Sequence, residues 1–263
     1  MKVHQFVTSL GVLTIGLALS GSPVQAFSFT TNVSGTYDAQ GNLDSTRDIF
    51  LDSVTLDNGQ TINNFALVKS AQIVQNDTWS GGNTGAASSE RGDNAAGQKA
   101  ELATNESIAE SLGNRNLNNI IDTEDVGSFK INLMFEQAVS SLFFWERGMN
   151  SDLTIQGLDS SGNLVGSLFK LSRKTQQSAG YSIDTSEISG AQAVGSWGVK
   201  LSDLGLTGSI FGLQVSADKS HNGPDFKVAG SSEAVPEPTT MAGIALAGAG
   251  LTAMRRRRRA KQS

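Results

Sequence analysis

The chain has 263 residues and no cysteine, so disulfides, thiolate nucleophiles and thiolate metal sites are excluded. Its formal charge of −5 hides an asymmetry. Lys2, Arg255 to Arg259 and Lys261 sit at the ends; residues 27–254 hold 13 basic residues against 25 acidic, a balance of −12 that repels nucleic acid and anionic lipid.

Met1 to Ala26 has the layout of a secretory signal peptide. Lys2 and His4 form a weakly basic start, Leu10 to Leu19 the apolar centre, and Val24-Gln25-Ala26 a small-x-small cleavage site. Signal peptidase is expected to cut between Ala26 and Phe27. A ten-residue apolar centre is short for a permanent anchor.

Residues 27–74 read as strands joined by turns. Phe27 and Phe29 alternate with Ser28; Ile49, Leu51, Val54 and Leu56 follow, with Ile62, Phe65, Leu67 and Ile73-Val74 as further apolar anchors. Asp38-Ala39-Gln40-Gly41-Asn42 and Asp57-Asn58-Gly59 are turn sequences. Residues 76–98 are nearly free of large apolar side chains and read as a long exposed loop. Trp79 is the exception. It either pins the loop to the body or offers a stacking face to a sugar.

Gln98 to Leu112 has helical spacing through Leu102, Ala109 and Leu112, and Gly113 closes it. Beyond an Asn-rich stretch, Asp122, Glu124 and Asp125 put three carboxylates in four residues. They read as a solvated turn or as oxygen ligands for Ca²⁺, the one cofactor the sequence suggests. From residue 126 the β pattern is clearest. Phe129, Ile131, Leu133 and Phe135 alternate with polar residues, and Leu142 to Trp145 is apolar on both faces, as a central strand would be. Glu146-Arg147 reads as an ion pair at its end. Leu153 to Leu158, the turn Asp159 to Asn163, and Leu164 to Leu171 form a hairpin. Residues 194–201, 210–215 and 226–228 are further strands. No repeat of propeller length is found. The expected fold is mainly β: a single antiparallel sandwich or jelly-roll-like ectodomain over residues 27–234, with one short helix.

The tail, residues 235–263, has three parts. Pro236-Glu237-Pro238 is stiff and extended, because proline fixes φ and lacks an N–H. Met241 to Met254 is an apolar run which, as a helix, spans roughly 21 Å against a hydrocarbon core of about 30 Å. Arg255, Arg256, Arg257, Arg258 and Arg259 follow, a block that resists export and stops transfer. These residues resemble the PEP-CTERM sorting signal of bacterial surface proteins. The resemblance implies a membrane-embedded exosortase that recognises Pro236, Glu237 and Pro238, cuts near them, and delivers the chain to the cell envelope or beyond. The segments FFWERGMNSDL, GYSID and NGPDFK are also similar to ectodomains of exosortase-dependent surface proteins, a group defined by export route rather than by chemistry.

Catalytic residues are not evident. His221 is the one histidine after residue 26 and lies in a turn sequence, with no G-x-S-x-G elbow anywhere. Glu136, Glu146 and Asp152 leave a glycosidase-like carboxylate pair formally open. The sequence therefore points to a non-enzymatic surface or extracellular-matrix protein, in transient contact with the membrane through its tail. Two alternatives stay open: a calcium-dependent adhesin binding extracellular polysaccharide, and a secreted carboxylate-dependent polysaccharide hydrolase.

Overall fold

The computed structural model describes residues 26–80, 87–90 (backbone only), 103–185, 190–233 and 235. The expected signal peptide, the Pro236 to Pro238 motif, the apolar run 241–254 and the arginine block lie outside them. Among the described residues no helix is long and apolar enough to cross a membrane.

The described residues form fourteen strands: β1 (Phe29–Gly35), β2 (Ile49–Leu56), β3 (Thr61–Ile62), β4 (Val68–Asn76), β5 (Ala87–Glu90), β6 (Ile120–Thr123), β7 (Phe129–Val139), β8 (Ser141–Arg147), β9 (Leu153–Leu158), β10 (Leu164–Leu171), β11 (Gln177–Ile183), β12 (Gln192–Lys200), β13 (Ile210–Ala217) and β14 (Asp225–Ser231). One helix, α1 (Asn105–Leu112), lies between β5 and β6. All ladders are antiparallel, in three sheets ordered β1-β2-β3, β10-β9-β13-β7-β4 and β11-β12-β8-β14-β6-β5.

The sheets stack in layers, and the reason is legible in β8. Leu142 and Phe144 enter a core shared with Ile131, Leu133, Ile155 and Val215 of the five-stranded sheet. Phe143 and Trp145, on the opposite face, enter a second core with Phe29, Leu51, Val54 and Ile62 of the three-stranded sheet. A strand buried on both faces cannot alternate with polar residues, so the six-stranded sheet is the middle layer. The mainly-β expectation holds, but the single sandwich becomes a sandwich with a third sheet over its outer face. β7 and β8 belong to different sheets and are joined through Ser140 alone. At that corner a side chain on Gly230 would meet Val139 at 2.4 Å, so glycine lets the two layers close.

Several local expectations change. The helix is observed at Asn105–Leu112, not from Gln98; residues 98–102 lie outside the described set. Thr104 caps it: its Oγ1 accepts from Ser107 N at 3.0 Å, and Ser107 Oγ accepts from Thr104 N at 3.0 Å. Asn105 Oδ1 accepts from Ile73 N, tying the first turn to β4. Its buried face is Ile108, Ser111 and Leu112 rather than Ala109. β5 lies inside the stretch read as loop; its small polar residues carry no apolar pattern, and it forms by backbone pairing with β6. β11 also went unassigned, although Ala179, Tyr181 and Ile183 alternate inward along it. The turns Asp38 to Asn42 and Asp159 to Asn163 are structural twins. In each, the aspartate Oδ1 accepts from backbone N–H groups two and four residues on, and the glycine sits at φ +84 or +81.

Candidate functional site

Three places carry candidate residues. The first is the end of β8, where β8 lies between β12 and β14. Glu146 and Arg147 do not pair with each other as expected. Strand alternation sends them to opposite faces, and each finds partners distant in sequence. Arg147 Nη2 reaches Asp122 Oδ1 at 3.1 Å and Asp225 Oδ2 at 2.9 Å, and Nη1 donates to Thr185 Oγ1. Asp122 is therefore a buried residue on β6 rather than part of a solvated turn. A cavity of about 130 Å³ beside this cluster is lined by Asp122, Glu124, Asp125, Arg147 and Asp225. The guanidinium supplies the positive charge that the carboxylates face, and among the described residues no group of three or more His, Asp or Glu is arranged to hold a metal ion. Burial pushes the Asp225 carboxyl up, although Arg147 pulls it down. Trp79 Nε1 donates to Glu124 Oε1 at 2.9 Å, which pins the indole to the body while leaving it 37% exposed.

Glu146 is fully buried. Its Oε2 accepts from Gln176 Nε2 at 2.9 Å, and its Oε1 has no protein partner. The Gln176 amide occupies space left by Gly195, where a Cβ would lie 2.3 Å from Gln176 Oε1. Desolvation, with repulsion from Asp225, pushes the Glu146 carboxyl up to about 8. Lys227 on β14 is buried as well; its Nζ donates to Ser111 O and Asn114 Oδ1, and burial holds its pKa well below the usual lysine value.

The second place is the outer face of the five-stranded sheet, away from the core. A groove of about 570 Å³ runs there, lined by side chains of β4, β7, β9, β10 and β13 and closed at one end by His221. The imidazole lies between Asp218 Oδ1, 2.9 Å from Nδ1, and Thr154 Oγ1, 3.0 Å from Nε2. Hydrogen bonds from Ser220 and His221 hold the Asp218 carboxyl far below the usual range. This acid–imidazole–hydroxyl chain has the order of a hydrolytic triad. Thr154, however, sits inside β9, which is paired on both edges, at Lys170 and Ser216. The chain of bonds acts as a clasp that fastens the β13–β14 connection to β9. Asp152, nearby, is held by Lys170 at 2.8 Å and Arg173 at 3.1 Å. Burial alone would raise its carboxyl, but these bonds win and hold it at about 2.

The third place is the pair of domain ends. Phe27 N donates to Gly198 O at 2.8 Å, and Gly198 N donates to Phe27 O at 2.9 Å. The Phe27 ring meets Phe143 edge-on at 5.8 Å, and Ala26 packs against the inner core. At the other end, Ser141 Oγ donates to Glu233 O at 2.8 Å, Gln60 Nε2 donates to Glu233 Oε2 at 3.2 Å, and Val235 packs on the outer core. The folded body thus extends to the residue before Pro236.

Residues 234–259 match the family model described as the PEP-CTERM protein-sorting motif. The comparisons with curated proteins and with solved structures give no match. The matched segment covers Pro236 to Pro238, the apolar run and all five arginines. The chain therefore carries a PEP-CTERM sorting motif, which implies exosortase-dependent sorting of an exported protein associated with the cell envelope.

Proposed function

We propose that this is a non-enzymatic surface protein whose β domain is cargo, carried out of the cell behind a cleavable signal peptide and released from the membrane by processing at its tail. Signal peptidase removes residues 1–26. Met241 to Met254 holds the precursor in the inner membrane, and Arg255 to Arg259 stay on the cytoplasmic side because basic residues resist transfer. The exosortase takes Pro236, Glu237 and Pro238.

The observation that carries this reading is the junction at Val235. Val235 packs on the outer core, and the Pro-Glu-Pro motif starts at the next residue of the sequence. Recognition element, apolar run and basic block then follow without any further globular segment between them. The non-catalytic part of the reading is supported by the fate of the carboxylates. Glu146 has no exposed surface with which to touch a substrate, and Asp152 is committed to Lys170 and Arg173.

Replacing Glu237 with alanine tests the sorting role. The chain should accumulate in the inner membrane with its tail uncut, seen as retained C-terminal mass by mass spectrometry of fractionated cells. Processing that is unchanged in Glu237→Ala refutes it.

A further inference from the structure

The outer face of the five-stranded sheet is ordered by register in a way the sequence order conceals. Gln72 on β4 pairs with Asn132 on β7, Asn132 with Gln214 on β13, and Gln214 with Gln156 on β9. Four carboxamides therefore stand in one row across four adjacent strands, about 4.8 Å apart and about 14 Å from end to end. They share the solvent face, because the neighbours Ala71, Ile73, Ile131, Leu133, Val215 and Ile155 all point into the inner core. The next row holds Lys130, Ser216 and Thr154 in register.

We propose that this face binds an uncharged, hydroxyl-rich polysaccharide strand, laid from Gln156 and Gln214 in the groove along the row to Asn132 and Gln72 beyond its lining. The proposal does not depend on how the chain reaches the surface. Each carboxamide has two N–H donors and a two-lone-pair acceptor, which suits a sugar hydroxyl that both donates and accepts. Much of that capacity is unspent. Gln214 Nε2 donates to Asn132 Oδ1 at 2.8 Å and Gln156 Nε2 donates to Gly166 O at 2.9 Å, which leaves the Gln156 and Gln214 carbonyl oxygens to a ligand. The same bonds hold the row in place before any ligand arrives.

Charge argues for a neutral polymer. Asp218 is spent on His221, which leaves Lys130 as a single cation on a groove lining that is otherwise mostly uncharged. An acidic polymer would also meet the −12 of the body. Leu164 and Leu168 on the edge strand β10 are 50% and 66% exposed and line the same groove, offering an apolar rail to the C–H faces of sugar rings. A spacing of one strand per carboxamide is close to that of successive rings in an extended glycan.

The test uses the full chain in detergent micelles, with cellohexaose and maltohexaose as neutral probes and an alginate hexamer as the acidic one. Side-chain amide resonances of Gln156 and Gln214 should shift with a neutral hexasaccharide. Gln156→Ala and Gln214→Ala, both surface changes, should each weaken binding about fivefold, the loss of one ordinary hydrogen bond. Trp79→Ala should leave it unchanged. Any of four results overturns the proposal: no shift with either neutral probe, binding to alginate alone, wild-type affinity in both glutamine variants, or shifts that follow protein concentration and report a second copy in the groove.

Discussion

Replacing Glu146 with glutamine should remove a pH dependence from the stability of this domain. The carboxyl is fully buried, its Oε1 lacks a partner, and it titrates near 8 in the fold against an ordinary 4.5. Between those values the folded chain holds a proton that the unfolded chain has released. Stability therefore falls as pH rises, by about 1.4 kcal/mol per pH unit. The contribution is fully present below about pH 4.5 and lost by about pH 8, a total of roughly 5 kcal/mol. Glutamine keeps the shape and the acceptor toward Gln176 but cannot ionise. Urea unfolding of the wild type and Glu146→Gln, measured from pH 5 to pH 9, should give curves that diverge steadily toward high pH, with the variant the more stable at pH 9. Lys227 and Asp152 contribute alike to both curves and drop out of the difference. Parallel curves across that range would refute the reasoning.

Arg147→Ala leaves Asp122 and Asp225 buried against each other without their cation, and should cost about 3–5 kcal/mol in urea unfolding at neutral pH. In Gly198→Ala the new methyl would lie 2.3 Å from the Phe27 ring; the ring must leave its place, at about 1–3 kcal/mol. Adding Phe27→Ala should recover part of that loss, since the two changes share one contact. Thr104→Ala removes the helix cap and should lower stability by about 1 kcal/mol, with faster hydrogen exchange at the Ser107 amide.

Much of the local structure was legible in the residues. The period of two in β7 and the twin turns, Asp38 to Asn42 and Asp159 to Asn163, follow from side-chain alternation and from glycine at positive φ. The apolar run in β8 correctly marked a strand with neighbours on both faces. What stayed hidden depends on pairing between distant segments. Asp122 and Asp225 lie 25 and 78 residues from the arginine they meet. The ion pair expected from Glu146-Arg147 ignored alternation, which turns adjacent strand residues away from each other. β5 has no pattern to read because its partner strand creates it. The carboxamide row draws on β4, β7, β13 and β9, an order that no local signal contains. Asp122 was visible as part of a carboxylate cluster, but the arginine it meets was not.

The bridge between Phe27 and Gly198 bears on timing. A peptidase must grip several residues of loose, outstretched chain on either side of the bond it cuts. In the finished domain Phe27 has already given its N–H and carbonyl to Gly198, and Ala26 has settled against apolar neighbours. On the proposed route, removal of a leader at the Ala26–Phe27 bond therefore has to come while the polypeptide is still emerging and unfolded. The opposite end, on the same route, obeys another clock: the sorting motif begins just beyond Val235, so an exosortase that acts after folding meets the globule at its rim.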